Sequence, residues 1–406
     1  MWTNVPDPKI SPGVAIAHAE ASRIQPPAFA RAFAVQMHLP AILYNLVFLP
    51  MISIALADRF SASGARFSEY LGERTVALFG DSAVELRALL TGCGVCTPDW
   101  HRKLVVSGED RVRWTNGMVT NNIRDLAYEH GNYSFILNAQ GRIQGDLTIY
   151  NRGEYLLATT TALQVERIKE FLDRFIVMDD VEITEVSGEL ESLAVIGPNS
   201  RAVLAAAGLA VSALAPGQVA NEEWSRIGYS IARGLLATDD APGTDSYELW
   251  VAAGNSAPFW DALSRAGATP VGSEAIDWHR ILRGVPLCGV DLGERDLAQE
   301  TNQRHALHFT KGCYIGQEIV ERVHSRGNVN RSFAGFRVDG PPPAIRSKII
   351  LGEKEVGEVT SSAAIPLPGG KQCFALGMIR REGATPGTAV SIDGTTASVA
   401  ALPFQI

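Results

Sequence analysis

"KGCYIGQE", residues 311–318, places an ammonium, two glycines, a thiol, a phenol, an amide and a carboxylate within eight positions. Core segments avoid that density of polar chemistry. Gly312 and Gly316 free the backbone to turn closely beside a ligand. From Gln317 the spacing becomes helical: Ile315, Ile319, Val320 and Val323 share a face, Glu318 stands four residues before Arg322, and Gly327 offers a stop. The stretch therefore reads as a tight turn feeding a helix N-terminus, where free N–H groups and the helix dipole favour a thiolate or carboxylate. Lys311, two residues from Cys313, adds a cation that would favour the thiolate. The plainer alternative is a structural cysteine at a tight turn.

Working outward, "YSFILNAQGRIQGDLTIY" (133–150) alternates apolar and polar residues about an Asn-Ala-Gln-Gly turn and predicts a β-hairpin carrying Asn138, Arg142 and Asp146. "KLVVSGEDRVRWTNGMVTNNI" (103–123) predicts a strand, a turn and a helix, with Asp110 placed to cap it. "AVELRALLTGCG" (83–94) is helical, with Val84, Leu86, Leu89 and Leu90 on one side. Strands follow at "EYLLATT" and "VEITEVSGELESLAVIG", separated by the amphipathic "ALQVERIKEFLDRFI". "SYELWVAAG" and "SAPFWDALSRAGATPVG" repeat the strand-then-helix pattern, which suggests two similar α+β halves. After Arg331, short strands separated by Gly, Pro and Asp turns, from "SFAGFRV" to "TASVAAL", carry the signature of a small β-barrel.

The 406 residues and 46% hydrophobic content suit two or three domains. A net charge of −8 disfavours a broad nucleic-acid-binding face, so no direct DNA binding is expected. Five cysteines, an odd number, argue against a disulfide framework and for a reducing, cytoplasmic setting. No Walker loop, dinucleotide fingerprint, H-E-x-x-H or G-x-S-x-G motif is present. Residues 32–57 contain no Asp, Glu, Lys or Arg, but Pro40, Asn45 and Pro50 interrupt them. They read as a membrane anchor, as an extra element packed on the body, or as sequence ahead of a true start near Met51. Any membrane contact is expected only through this extension.

Taken together, "KGCYIGQE", "VSGEDRVRWTNGMVTNNI", "LNAQGRIQGDL", "RILRGVPLCGVDL", "EVGEVTSS" and the closing "LPF" resemble the YgfZ-type folate-binding proteins, relatives of the glycine-cleavage T-protein aminomethyltransferase. The resemblance covers about residues 75–406. It implies an α+β fold: a T-protein-like ring of two interleaved, related α+β domains at 67–330 and a C-terminal β-barrel at 331–406, with residues 1–66 outside. It implies a folate-binding accessory protein that supports iron–sulfur cluster assembly or repair and, through client enzymes, tRNA modification. The cofactor would be tetrahydrofolate or a derivative, and the partners iron–sulfur assembly or client proteins. Cys313 and Lys311 would carry the chemistry. Asn138, Arg142, Asp146, Arg280, Tyr314, Gln317 and Glu318 would line the folate site, with no set of metal ligands.

Three departures from the transferase pattern stand out. Gly145 replaces the first of two adjacent hairpin acids, Thr244 replaces a pterin-recognising glutamate, and Leu282 replaces the glutamate of Arg-x-Glu-x-Gly. Steering a nitrogen onto folate needs polar groups, so the losses favour binding over transfer. The alternative is a tetrahydrofolate-dependent aminomethyltransferase or other one-carbon transferase; a third is a silent structural relative. Cys93 and Cys96 form a lone C-x-x-C better read as two small residues near a helix end. His305, His308 and His324 read as polar core or surface residues, and Arg322, Arg326 and Arg331 as a basic streak, either a solvated helix face or a contact for glutamylated folate or RNA phosphate.

Overall fold

The computed structural model describes residues 54–406 except 212, 237–244 and 328. Three bodies meet pairwise. The first is a five-stranded antiparallel sheet in the order Gly131–Leu137, Ile143–Asn151, Leu156–Thr161, His101–Ser107 and Glu182–Glu185. One face, with Leu147, Ile149, Leu104 and Val106, packs on Trp114 and on Ile168, Phe171 and Leu172 of the helices Arg111–Met118 and Val165–Asp173. The period of two along the strands and of 3.6 along Val165–Asp173 are both plain in the sequence.

The second body is a six-stranded sheet in the order Val219–Trp224, Ile227–Arg233, Ser246–Ala252, Leu190–Ile196, Gly94–Cys96 and Thr269–Pro270, whose last pair is parallel. Leu193, Val195, Leu249 and Val251 pack on Phe259 and Leu263 of the helix Ser256–Arg265. The chain begins this sheet at residue 94, builds the five-stranded sheet, then returns at residue 190. The two strands 182–185 and 190–196 therefore belong to different sheets although four residues separate them.

The sheets lie face to face. Val105, Tyr150 and Leu157 meet Leu190, Ala232 and Trp250, and the Tyr150 and Trp250 rings stand 5.0 Å apart, edge to face. The third body is a closed barrel of six strands between Arg331 and Ala400, as the turn-punctuated strands predict. The helix Ser273–Arg283 joins it to the six-stranded sheet: Arg280 Nη2 donates to Ser361 Oγ at 2.8 Å, and Phe404 N–H donates to Leu282 O. Residues 289–301 join it to the five-stranded sheet: Ile143 N–H donates to Asp296 O, and Arg331 pairs with Asp296 and Glu300. One apolar cluster draws on all three bodies, including Phe135, Ile281 and Phe374.

The helix Ile54–Ala62, within the stretch placed outside the family fold, packs on the body, one of the three readings of residues 32–57: Leu56 and Phe60 are buried, and the Phe60 ring lies 4.6 Å from Trp260. Such burial contributes about 1.5–3 kcal/mol per side chain. Asp110 does not cap its helix; its carboxylate accepts instead from the Asp180 N–H. Val84 is exposed rather than packed with Leu86 and Leu89. The apolar stretch 32–57 lies up to residue 53 outside the described residues. Among the described residues no helix is long and apolar enough to cross a membrane.

Candidate functional site

The helix Gln317–Arg326 forms as its spacing predicts, closed by Gly327 in the left-handed conformation. The turn before it is pressed onto the hairpin. Gly316 has φ +85°, and a β-carbon there would stand 2.6 Å from Asn138 O. A β-carbon on Gly141 (φ +71°) would stand 2.7 Å from Ile319 Cβ. Both positions require glycine, for conformation and for room. Asn138 spends its side-chain oxygen on the hairpin turn, accepting from the N–H groups of Gln140 and Arg142 at 3.0 Å each. Asn138 is thus a turn former. Gln317 Oε1 accepts from Tyr314 N–H at 3.2 Å and braces the loop.

Cys313 is exposed at the apex. Lys311 does not serve it. The ammonium turns inward and donates to the carbonyls of Asn116 and Val119, each at 2.7 Å, and of Asn121. Asn116 lies in the last turn of the helix Arg111–Met118, Val119 caps it and Asn121 follows; carbonyls at such a helix end lack helical partners and favour a cation. Burial, with the Arg124 charge nearby, pulls the Lys311 pKa down to about 7, while three carbonyl acceptors hold the charged form. The same ammonium lies 5.0 Å above the Tyr314 ring. Tyr314 is buried, and its hydroxyl has no hydrogen-bond partner. Burial raises its pKa above the ordinary tyrosine value. Glu318 is exposed.

Asp146 stands on the hairpin face opposite Leu147 and receives Tyr133 Oη at 2.6 Å and the Gln164 amide. The buried Cys288 thiol lies close enough for the two groups to shift one another's titration. Burial raises the pKa of Asp146, and burial with the nearby Asp146 charge raises those of Tyr133 and Cys288. Asp146 and Tyr133 nevertheless keep accessible surface deep inside the molecule. Gly145 explains itself here: a β-carbon would stand 2.8 Å from Ile168 and 3.1 Å from Gln164 Oε1. Position 145 faces the helix layer, so the hairpin supplies one inward acid.

The other expected ligands are dispersed. Arg280 is held by Asp291 (2.7 Å), Asp277 (2.7 Å) and Ser361, and lines a cavity of about 730 Å³ with Tyr70, Arg346 and Thr360. Asp291, fully covered, also accepts from the hydroxyls of Thr360 and Ser361. Arg280 is therefore first a strut between helix and barrel. Arg142 donates to Arg295 O and faces a cleft of about 1,130 Å³ containing Arg295, Arg331, Arg380 and Arg381. Asn138, Tyr314 and Gln317 gather at the motif turn, while Asp146, Arg142 and Arg280 stand at three separate places.

One cluster went unread. Lys103, fully buried, donates to Ser192 Oγ at 2.6 Å. Glu248 accepts from Ser192 and from the Trp250 indole, and its other oxygen meets His101 Nδ1 at 3.2 Å. Burial alone would raise the Glu248 pKa, but His101 and Lys103 bring it down to about 2. The signal was present: by alternation Lys103 shares a face with Val105, which points between the sheets. Cys93 and Cys96 are buried in separate clusters on opposite faces of their strand. Among the described residues no group of three or more His, Cys, Asp or Glu is placed to hold a metal ion.

The chain resembles an aminomethyltransferase of Saccharopolyspora erythraea, with 27% identity over 373 residues, covering 86% of this chain and 96% of that one. A putative chloroplastic transferase of Arabidopsis thaliana is 25% identical over 366 residues, 87% of this chain and 80% of its own. Among solved structures, glycine cleavage system aminomethyltransferase T from Bartonella henselae superposes with a TM-score of 0.77 at 21% identity, covering 87% of this chain and 98% of that one, so the fold is shared. The sequence pattern of the GCVT N-terminal domain matches residues 56–311, and the chain belongs to that family.

Proposed function

We propose that the protein binds a reduced folate against Asp146 and Tyr133 without transferring an aminomethyl group, and supports iron–sulfur assembly or client proteins, tRNA-modifying enzymes among them, through Cys313. The observation that carries this reading is the solitary, engaged Asp146. A carboxylate offers roughly four acceptor sites. Tyr133 and Gln164 donate to it, which leaves acceptor capacity for an N–H of a pterin ring. That is an anchor, with no second inward acid on the hairpin to steer a migrating nitrogen. The residues present thus fit the ligand. A bound folate would supply a one-carbon carrier at its ring nitrogens; the chain supplies the anchor and a partly dry wall.

Cys313 is the exposed thiol of a set otherwise buried or partly buried, and the five cysteines stand unpaired, which suits a reducing compartment. A single thiol cannot hold a cluster that normally takes four ligands, so this reading requires a partner protein. The test has two arms. Tetrahydrofolate should raise the melting temperature; no shift at saturation removes the folate site. Cys313→Ser should change stability by less than about 0.5 kcal/mol, as exposed substitutions do, yet fail to restore iron–sulfur enzyme activities in a deletion strain. Full complementation leaves the motif a structural turn.

The names of the curated relatives favour a second reading, tetrahydrofolate-dependent aminomethyl transfer. It requires folate-dependent release of ammonia from an aminomethylated carrier protein, lost in Asp146→Asn.

A further inference from the structure

We propose that the carbonyls of Asn116, Val119 and Asn121 form a monovalent-cation site of ammonium chemistry, which the chain fills with its own Lys311, and that this internal cation sets the position of the Cys313 turn. Three oxygens converge on one nitrogen, matching the three N–H donors of an ammonium and leaving none spare. They are main-chain atoms at a helix end, so they persist whatever occupies the site. The segment that bears Lys311 takes the neighbouring carbonyls too: Ile315 N–H donates to Gly117 O at 3.1 Å and His308 N–H to Thr120 O at 3.2 Å. Asn121 is bound back through its side-chain amide to Tyr133 O and His305 O. The loop 116–121 is thereby gripped on one side by the motif and on the other by the strand carrying Tyr133.

The charged and titratable groups around the ammonium are Arg124, whose Nη2 would lie 3.4 Å from a β-carbon on Gly312, and Tyr314, whose ring lies beneath it. Among the described residues no carboxylate is bonded to it, and its hydrogen-bond partners are neutral carbonyls. A cation is what the cage selects, and an empty cage would leave three partly buried acceptors unpaired, which is unfavourable. Lys311 is on this reading a positioning residue: its ammonium anchors the turn that carries the thiol.

The experiment measures Lys311→Ala in sodium, ammonium, methylammonium and tetramethylammonium chloride at equal ionic strength. Two quantities are read: the melting temperature, and the rate of hydrogen exchange at the Ile315 and His308 amides, which donate to the Gly117 and Thr120 carbonyls. In sodium the variant should melt lower and exchange these two amides about tenfold faster, the signature of local opening. Ammonium and methylammonium, which present N–H donors, should return both quantities towards wild type, and tetramethylammonium should not. A variant that matches wild type in sodium, or that ammonium restores no better than tetramethylammonium, overturns the proposal. If Lys311→Ala is insoluble, Lys311→Met, which keeps the packing of the stem, takes its place under the same criteria. In the wild-type protein Lys311 should be acylated at least about tenfold more slowly than exposed Lys354 or Lys371; equal rates overturn it as well. None of these readouts depends on folate or iron–sulfur activity, so failure here is separable from failure of the proposed function.

Discussion

Gly316 and Asn138 touch backbone to backbone: a β-carbon on Gly316 would stand 2.6 Å from the Asn138 carbonyl oxygen. Gly316→Ala therefore combines a left-handed backbone with a clash against main chain, which cannot move aside as a flexible side chain does. The expected loss is more than about 2 kcal/mol, measured by chemical denaturation. Gly312→Ala is the control, since its nearest neighbour is the mobile end of Arg124 at 3.4 Å. Equal losses at the two positions would remove the contact with Asn138 from the account.

Arg280 holds the barrel to the body through Asp291 and Ser361. Arg280→Met would leave a covered carboxylate without its cation, which costs about 3–5 kcal/mol. The double variant Arg280→Met, Asp291→Asn should recover part of that loss. A single variant as stable as wild type would show the strut to be dispensable.

Tyr133→Phe deletes one donor to Asp146 while keeping the ring beside Phe135 and His305. If Asp146 anchors the ligand, calorimetry should show tetrahydrofolate binding weakened about tenfold, equivalent to about 1.4 kcal/mol. Unchanged affinity would place the ligand elsewhere.

The pH dependence of stability has a defined sign at His279. Burial and the neighbouring Arg283 lower its pKa to about 4. The unfolded chain therefore binds more protons than the folded one between about pH 6.5 and 4, and stability falls as pH drops through that window. Asp99 works the other way: burial raises its carboxyl to about 7, so in the folded state it takes up its proton first as pH falls from about 7 to 4, which adds stability. His279→Gln should flatten the acid-side loss, and Asp99→Asn should remove the opposing gain. Melting temperatures recorded from pH 7 to 4.5 decide both; parallel profiles for His279→Gln and wild type would contradict the assignment.

The hairpin, the barrel and the helix Gln317–Arg326 were legible because alternation, turn residues and a stop glycine are local signals. The crowding of Gly316 against Asn138 was half legible: two glycine-marked turns were visible, their contact was not. What strands share, and with whom, is not local. Residues 182–185 and 190–196 read alike yet join different sheets. Lys311 illustrates the same limit. Its nearness in sequence to Cys313 suggested a thiolate partner, but a four-carbon stem reaches a helix end that only the fold brings near. The structural bonds of Arg280 to Asp277, Asp291 and Ser361 were not legible, because sequence marks an invested arginine without showing the neighbouring domain it holds.

The early placement of Gly94–Cys96 has a consequence for how the molecule is made. This strand pairs with Leu190–Ile196 and Thr269–Pro270, so it leaves the ribosome long before either partner exists. In the meantime the complete five-stranded unit emerges and can close. The buried edge at Val95 and Cys96 must wait, held only by its link to a neighbour already folded. Assembly is therefore ordered by topology: the inserted unit first, the enclosing sheet after Pro270 is free, the barrel last. Pairings so distant along the chain are slow to form. A chain interrupted anywhere from 190 to 270 would present a finished first unit beside an open, apolar sheet edge, the kind of surface that chaperones and proteases engage.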